Sequence, residues 1–339
     1  MSRRKKQWMF VAALCWICCS GSVFAENTRW QKAMNDGNRL CQQGDYVEAM
    51  KAFQTALAEA EKFGPEDPSL IQSLNNLANL YCNLGRYRVA ESLYWRVLDT
   101  WEKKLGPDHP NVAMSLNHLG NVYASQGKYA DSERVLRRAL SIGRKAFAPE
   151  RPETAIIMTN LAVLYCRRGR LAEAESLYRQ GISVLEKTLG SHHLCVATAL
   201  NNLAVVYTDQ HRFAEAESLY ERALLIREEV LGQYHPDVAV VTNSLAQLYL
   251  KDHRYAEAEP LFQRAWSIWE KSLRANRSDL STSLKGYALV LRKTKRKSEA
   301  EAMIRHAKEI LARNPVVNPA NQTIDVRALA LDNQSGWKP

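Results

Sequence analysis

The sequence predicts an all-α, right-handed solenoid of about seven helix pairs. Three observations carry this expectation. A 42-residue period runs through most of the chain, apolar residues fall three and four apart within each period, and no segment alternates with period two.

The period shows in the sequence itself. Ser73–Tyr81 recurs as Ser115–Tyr123, in part as Thr159–Tyr165, then as Ala199–Tyr207 and Asn243–Tyr249. The anchors Leu77, Leu119, Leu161, Leu203 and Leu245 stand 42 residues apart, and Tyr81, Tyr123, Tyr165, Tyr207 and Tyr249 keep the same step. A second block, Arg170–Tyr178, returns as Arg212–Tyr220 and Arg254–Phe262. Each unit reads as two helices. Leu74, Leu77, Ala78 and Tyr81 line one face of the first, and Val89, Ala90, Leu93, Tyr94 and Val97 one face of the second.

Pro68, Pro110, Pro152 and Pro236 open first helices, where a missing N–H costs nothing. Gly85, Gly127 and Gly169 lie between the two helices, where a left-handed cap needs glycine. Small residues keep their places: Ala78, Gly120, Ala162, Ala204 and Ala246 in the first helix, and Ala90, Ser132, Ala174, Ala216, Ala258 and Ala300 in the second. They let helices approach closely while Leu and Tyr fill the adjacent gaps. One pair cannot bury enough surface alone, whereas a stack makes a continuous core.

The first 25 residues read as an address. Arg3–Lys6 is basic, Trp8–Cys19 is apolar, and Val23 and Ala25 suit cleavage after Ala25. The expected protein is therefore exported, periplasmic or secreted, with an uncleaved N-terminal anchor as the alternative. The array is expected over residues 26–313 and a flexible tail over 314–339. The net charge of +10 is uneven, because Arg3–Lys6 and residues 271–313 carry the excess and residues 26–270 are close to neutral. That distribution argues against nucleic acid as a partner.

Leu77-Ala78-x-x-Tyr81, followed by Ala90-x-x-x-Tyr94, resembles the tetratricopeptide repeat. The 42-residue period and the Leu105-Gly106-x-x-His109-Pro110 linker resemble the longer repeats of the kinesin light chain type. The resemblance spans about residues 30–313 in seven units. The end units depart from the pattern, with Asp36 at a leucine position and Leu291 at a tyrosine position, as capping units do. The resemblance implies that first helices line a concave groove and that the chain works through a protein or peptide partner, without implying association with a motor.

The groove positions would carry a row of amides. The candidate binding residues are Asn75, Asn76 and Asn79, then Asn117, His118 and Asn121, then Asn160, Asn201, Asn202 and Asn243. An amide both donates and accepts, so it can pair with a peptide backbone of any sequence. The same row could instead be a structural ladder fixing one repeat on the next, or the copied mark of a founding unit. A scaffold with an empty groove is thus the alternative function.

Other signals point to no chemistry. His109, His193 and His235 share one linker position, which duplication explains. Glu173, Glu175, Glu215, Glu217, Glu257 and Glu259 recur on the second helix as solvated charge. No catalytic set, metal-ligand spacing or phosphate loop is found, so no enzyme activity and no cofactor are expected. Cys41, Cys82 and Cys166 share one helical position, about 10 Å apart in a stack, too far for a disulfide. Lys285, Arg292, Lys293, Lys295, Arg296 and Lys297 form a basic cluster that suits an acidic partner or a solvated cap.

Overall fold

The computed structural model describes residues 29–41, 43–65, 67–146, 151–271 and 277–312. The expected signal segment and the tail from residue 314 lie outside the described residues. Among the described residues there are helices and no strand. They run as α1 (29–41), α2 (Tyr46–Ala60), α3 (Pro68–Asn83), α4 (Tyr87–Leu105), α5 (Pro110–Ser125), α6 (Tyr129–Ala146) and α7 (Pro152–Arg167). The second half continues with α8 (Leu171–Leu189), α9 (Leu194–Asp209), α10 (Phe213–Leu231), α11 (Pro236–Lys251), α12 (Tyr255–Lys271), α13 (Arg277–Lys293) and α14 (Lys297–Ala312).

From α2 to α14, each helix packs on the next. Odd helices also touch their odd neighbours, from α5 through α7, α9 and α11 to α13. Clefts instead open between even helices, one between α6 and α8 and one between α8 and α10, each about 660 Å³. The array therefore bends with the odd helices on its inner side. The small residues sit at the helix crossings as expected: Ala78, Ala162, Ala204 and Ala246 are buried, as are Ala90, Ser132, Ala174, Ala216, Ala258 and Ala300. One apolar core runs from Trp30 to Ala300, with a satellite between α11, α12 and α13.

The helix ends obey local chemistry. Gly85, Gly127 and Gly169 adopt φ of 71°, 76° and 72°, the left-handed caps the sequence requires. In the next three units His211, His253 and Lys295 take the same conformation at φ of 60–67°, which glycine spacing alone does not reveal. The linker histidines also gain a role. Nδ1 of His109, His193 and His235 accepts the backbone N–H two residues on, at 3.2, 3.0 and 3.1 Å, capping α5, α9 and α11. Asp67 caps α3 in the same way. Duplication copied these histidines, but a capping bond explains what they do.

Candidate functional site

The candidate amides lie on the inner, odd-helix layer, and the structure divides them. Asn75, Asn76, Asn79, His118, Asn121 and Asn243 are half-buried. Asn117, Asn160, Asn201 and Asn202 are buried, at 0, 2, 6 and 6% exposure. These four do not stand on an open surface as the sequence reading had placed them. The close approach of neighbouring odd helices draws them into the seams.

Some of the row is engaged within the protein. Asn160 Nδ2 donates to Asn117 Oδ1 at 3.0 Å, a rung that joins α7 to α5. Asn76 Nδ2 reaches Asn38 Oδ1 at 3.4 Å, joining α3 to α1. The Tyr94 hydroxyl donates to Asn79 Oδ1, and its ring stacks on His118 with centroids 5.0 Å apart, so α4 holds both candidates from below. Asn201 Nδ2 donates to Asn202 Oδ1 at 3.3 Å.

What remains is unusual for a protein interior. Asn75 Oδ1, Asn117 Nδ2, Asn160 Oδ1, Asn201 Oδ1 and Asn243 Oδ1 are buried without a hydrogen-bond partner. Each such atom costs about 1–3 kcal/mol. Asn75, Asn117, Asn201 and Asn243 occupy one repeat position, so the unmet bonds form a file along the inner layer.

A second periodic device runs along the turns between first and second helices. Arg170, Arg212, Arg254 and Arg296 each reach back to a glutamate of the preceding even helix, Glu133, Glu175, Glu217 and Glu259, at 2.6–3.0 Å. Each also pairs with the glutamate three residues on: Glu173, Glu215, Glu257 and Glu299. The first three guanidiniums lie over Tyr165, Tyr207 and Tyr249, 3.8–4.1 Å from the ring centroids. The Arg254 hydrogen bond holds the Glu217 carboxyl below the usual carboxylate range. This corrects the reading of Glu175, Glu217 and Glu259 as solvated charge, because they bridge repeats. Arg296 likewise leaves the basic cluster for this role, while Lys285, Arg292, Lys293, Lys295 and Lys297 remain exposed.

One functional candidate escaped the sequence reading. Arg227 of α10 is buried, and its guanidinium donates to Thr198 Oγ1 at 3.1 Å and to the Asp237 carbonyl at 2.8 Å. Burial pulls its affinity for the proton below the ordinary arginine value. The available signal was a charge at a repeat position held elsewhere by Trp101, Gly143, Leu185 and Trp269.

The cysteines bear no disulfide: Cys41, Cys82 and Cys166 are half-buried thiols and Cys195 is a buried one. Burial pushes the Cys166 thiol up to about 11. No cluster among the described residues could hold a metal ion, and no described helix is long and apolar enough to cross a membrane.

No curated protein matches the sequence. Solved structures do match in shape. BtubC (BKLC) from P. vanneervenii is 24% identical, with 72% of this chain and 91% of that one covered at a TM-score of 0.55. The nearly identical TPR-like repeats of a kinesin light chain-like protein of Podosopora anserina are 27% identical, over 62% of this chain and 99% of that one, at 0.50. The Rap conjugation gene regulator of plasmid pLS20, in complex with the Phr* peptide, is 13% identical, over 94% and 80%, at 0.64. The family model for the tetratricopeptide repeat matches residues 37–99, 70–145, 113–187, 195–265 and 241–313. The chain belongs to the tetratricopeptide repeat family, with repeats of the kinesin light chain type, and is by that membership a protein-interaction module.

Proposed function

We propose that the chain is an exported, non-enzymatic interaction module that binds an extended peptide segment along the inner layer of odd helices. The observation behind this reading is the row of half-buried amides on the odd-helix layer, at Asn75, Asn121 and Asn243. The partly open side of such an amide can pair with the N–H and C=O groups of a peptide backbone. The spacing suits it: packed helices lie about 8–10 Å apart and an extended chain rises about 3.3 Å per residue, so one repeat meets about every third residue. A protein of the same fold, the pLS20 Rap regulator, was solved with a peptide. Export rests on the basic and apolar pattern of residues 1–25.

A scaffold with an empty groove is favoured by the Asn160–Asn117 and Asn76–Asn38 rungs, which brace neighbouring repeats. The two readings separate in a cross-linking pull-down from the host's exported fraction with the full chain and its Asn75→Ala/Asn243→Ala variant. Binding predicts a partner captured by the wild type and lost by a variant that melts no lower. Identical captures by both proteins would leave the scaffold.

A further inference from the structure

Another ion pair repeats along the outer layer, between consecutive even helices. Arg138 on α6 reaches Glu102 on α4, 36 residues back, at 2.7 Å, and Arg222 on α10 reaches Glu186 on α8 at 2.6 Å. Arg264 on α12 pairs likewise with Glu228 on α10, and Arg96 on α4 pairs with Glu61, just past α2, at 2.8 Å. At the joint of α6 and α8 both members are exchanged. Arg144 holds the glutamate position and Gln180 the arginine position, and Arg144 donates to Gln180 Oε1 at 3.4 Å. Among the described residues Arg144 meets no carboxylate. Exposed ion pairs contribute little to stability, so the array can spare one.

A third exchange falls at the same joint. The histidine that caps α5, α9 and α11 is replaced by Arg151 before α7, and no side chain caps that helix. Its N-terminal N–H groups add positive potential to that of Arg144. Thr154, in the first turn of α7, is 2% exposed, lines the cleft between α6 and α8, and keeps an Oγ1 without a hydrogen-bond partner. Arg144, Arg179, Gln180, Ser183 and Met158 line the same cleft, and no described carboxylate does. Glu153 belongs to the same turn of α7 but lies outside the cleft wall. Arg179 is already held by Glu175 at 3.1 Å and by the Tyr207 hydroxyl, so the unbalanced charge is that of Arg144. The sister cleft between α8 and α10 sets Glu186 and Glu215 against Arg179 and Arg222, and its wall is balanced.

We infer that the outer cleft between α6 and α8 binds a small organic anion, whose carboxylate or phosphate pairs with Arg144 and whose apolar body rests on Met158. The planar fork of a guanidinium matches either oxyanion with two parallel N–H bonds. The cleft volume of about 660 Å³ falls within the roughly 300–1,000 Å³ of small-molecule sites. The site lies on the opposite layer from the groove and does not depend on a peptide there.

The test titrates the full chain by calorimetry with 1-naphthyl phosphate, 1-naphthoate and, as the neutral control, 1-naphthamide. At least one anion should bind about tenfold tighter than the amide, and the tighter anion names the oxyanion. Arg144→Glu/Gln180→Arg restores the pair found at the neighbouring joints, so it should melt no lower than the wild type and lose the preference. Arg144→Gln, which removes the charge alone, should lose it too, so the outcome does not hang on the folding of one variant. A preference for neither anion, an absence of binding at millimolar concentration, or a preference that persists without Arg144 overturns the site and leaves the groove reading untouched.

Discussion

Replacing Asn243 by alanine should make the array more stable, although it removes a polar group from a helix interior. Asn243 is half-buried on α11, its Oδ1 is buried without a partner, and its amide makes no hydrogen bond among the described residues. Removing an unmet acceptor returns about 1–3 kcal/mol, at the lower end for a half-buried residue. Exchanging Asn for Ala in a helix adds roughly 0.5 kcal/mol. The lost amide contacts, at about 0.1–0.2 kcal/mol each, take back part of that gain. The balance is a stabilisation of about 1–2 kcal/mol, which moves the melting midpoint of an array of this size by about 2–6 °C. Thermal melts followed by circular dichroism measure it directly. A midpoint that falls instead would mean that the amide braces the array, and the file of asparagines would then be an internal strut.

Three further outcomes follow from features described above. An ideal Cβ at Gly120 would lie 2.5 Å from Leu136 Cγ, so Gly120→Ala should cost about 1–3 kcal/mol in a urea melt, and a simultaneous Leu136→Val should recover part of it. His109→Ala removes the acceptor at the start of α5 and should cost about 1 kcal/mol, while His109→Asp, which restores a capping oxygen, should not. Glu217 has a folded-state pKa held below its ordinary value by Arg254. Its stabilisation is therefore present above the ordinary carboxylate range and is lost as pH falls through the lowered folded value. Arg254→Gln should lower stability at neutral pH and flatten the acid limb of the stability profile, and parallel acid limbs in wild type and variant would refute that linkage.

The repeat was legible because it is written in local terms. Leu77, Ala78 and Tyr81 report one helix face, Pro110 reports a helix start, and the period repeats the message at every unit. The helix pairing, the buried small residues and the glycine caps followed from those signals alone. The exposure of the amides was not legible, because it depends on how closely α5, α7 and α9 approach, a property of curvature. The Arg–Glu bridges join residues 37 positions apart, and neither partner looks unusual in its own helix. His211 and His253 hide a left-handed turn because the backbone demand persists after the glycine is gone. Arg227 was visible in the sequence as an exception to the period.

The arginine bridges also set a grain along the array. Full Arg–Glu links join the repeats from α6 to α14. The preceding link substitutes lysine, with Lys128 on Glu91 at 3.3 Å. At the first interface the corresponding position is Met50, which carries no charge. In a stack where each unit touches only its neighbours, opening is governed interface by interface. Thermal fraying, protease entry and a pulling force would all meet least resistance at the first repeat and rising resistance after it. The chain is built like a zipper with its slider end at α1, so α1 and α2 are the segment that can part from the rest while the remaining repeats keep their shape.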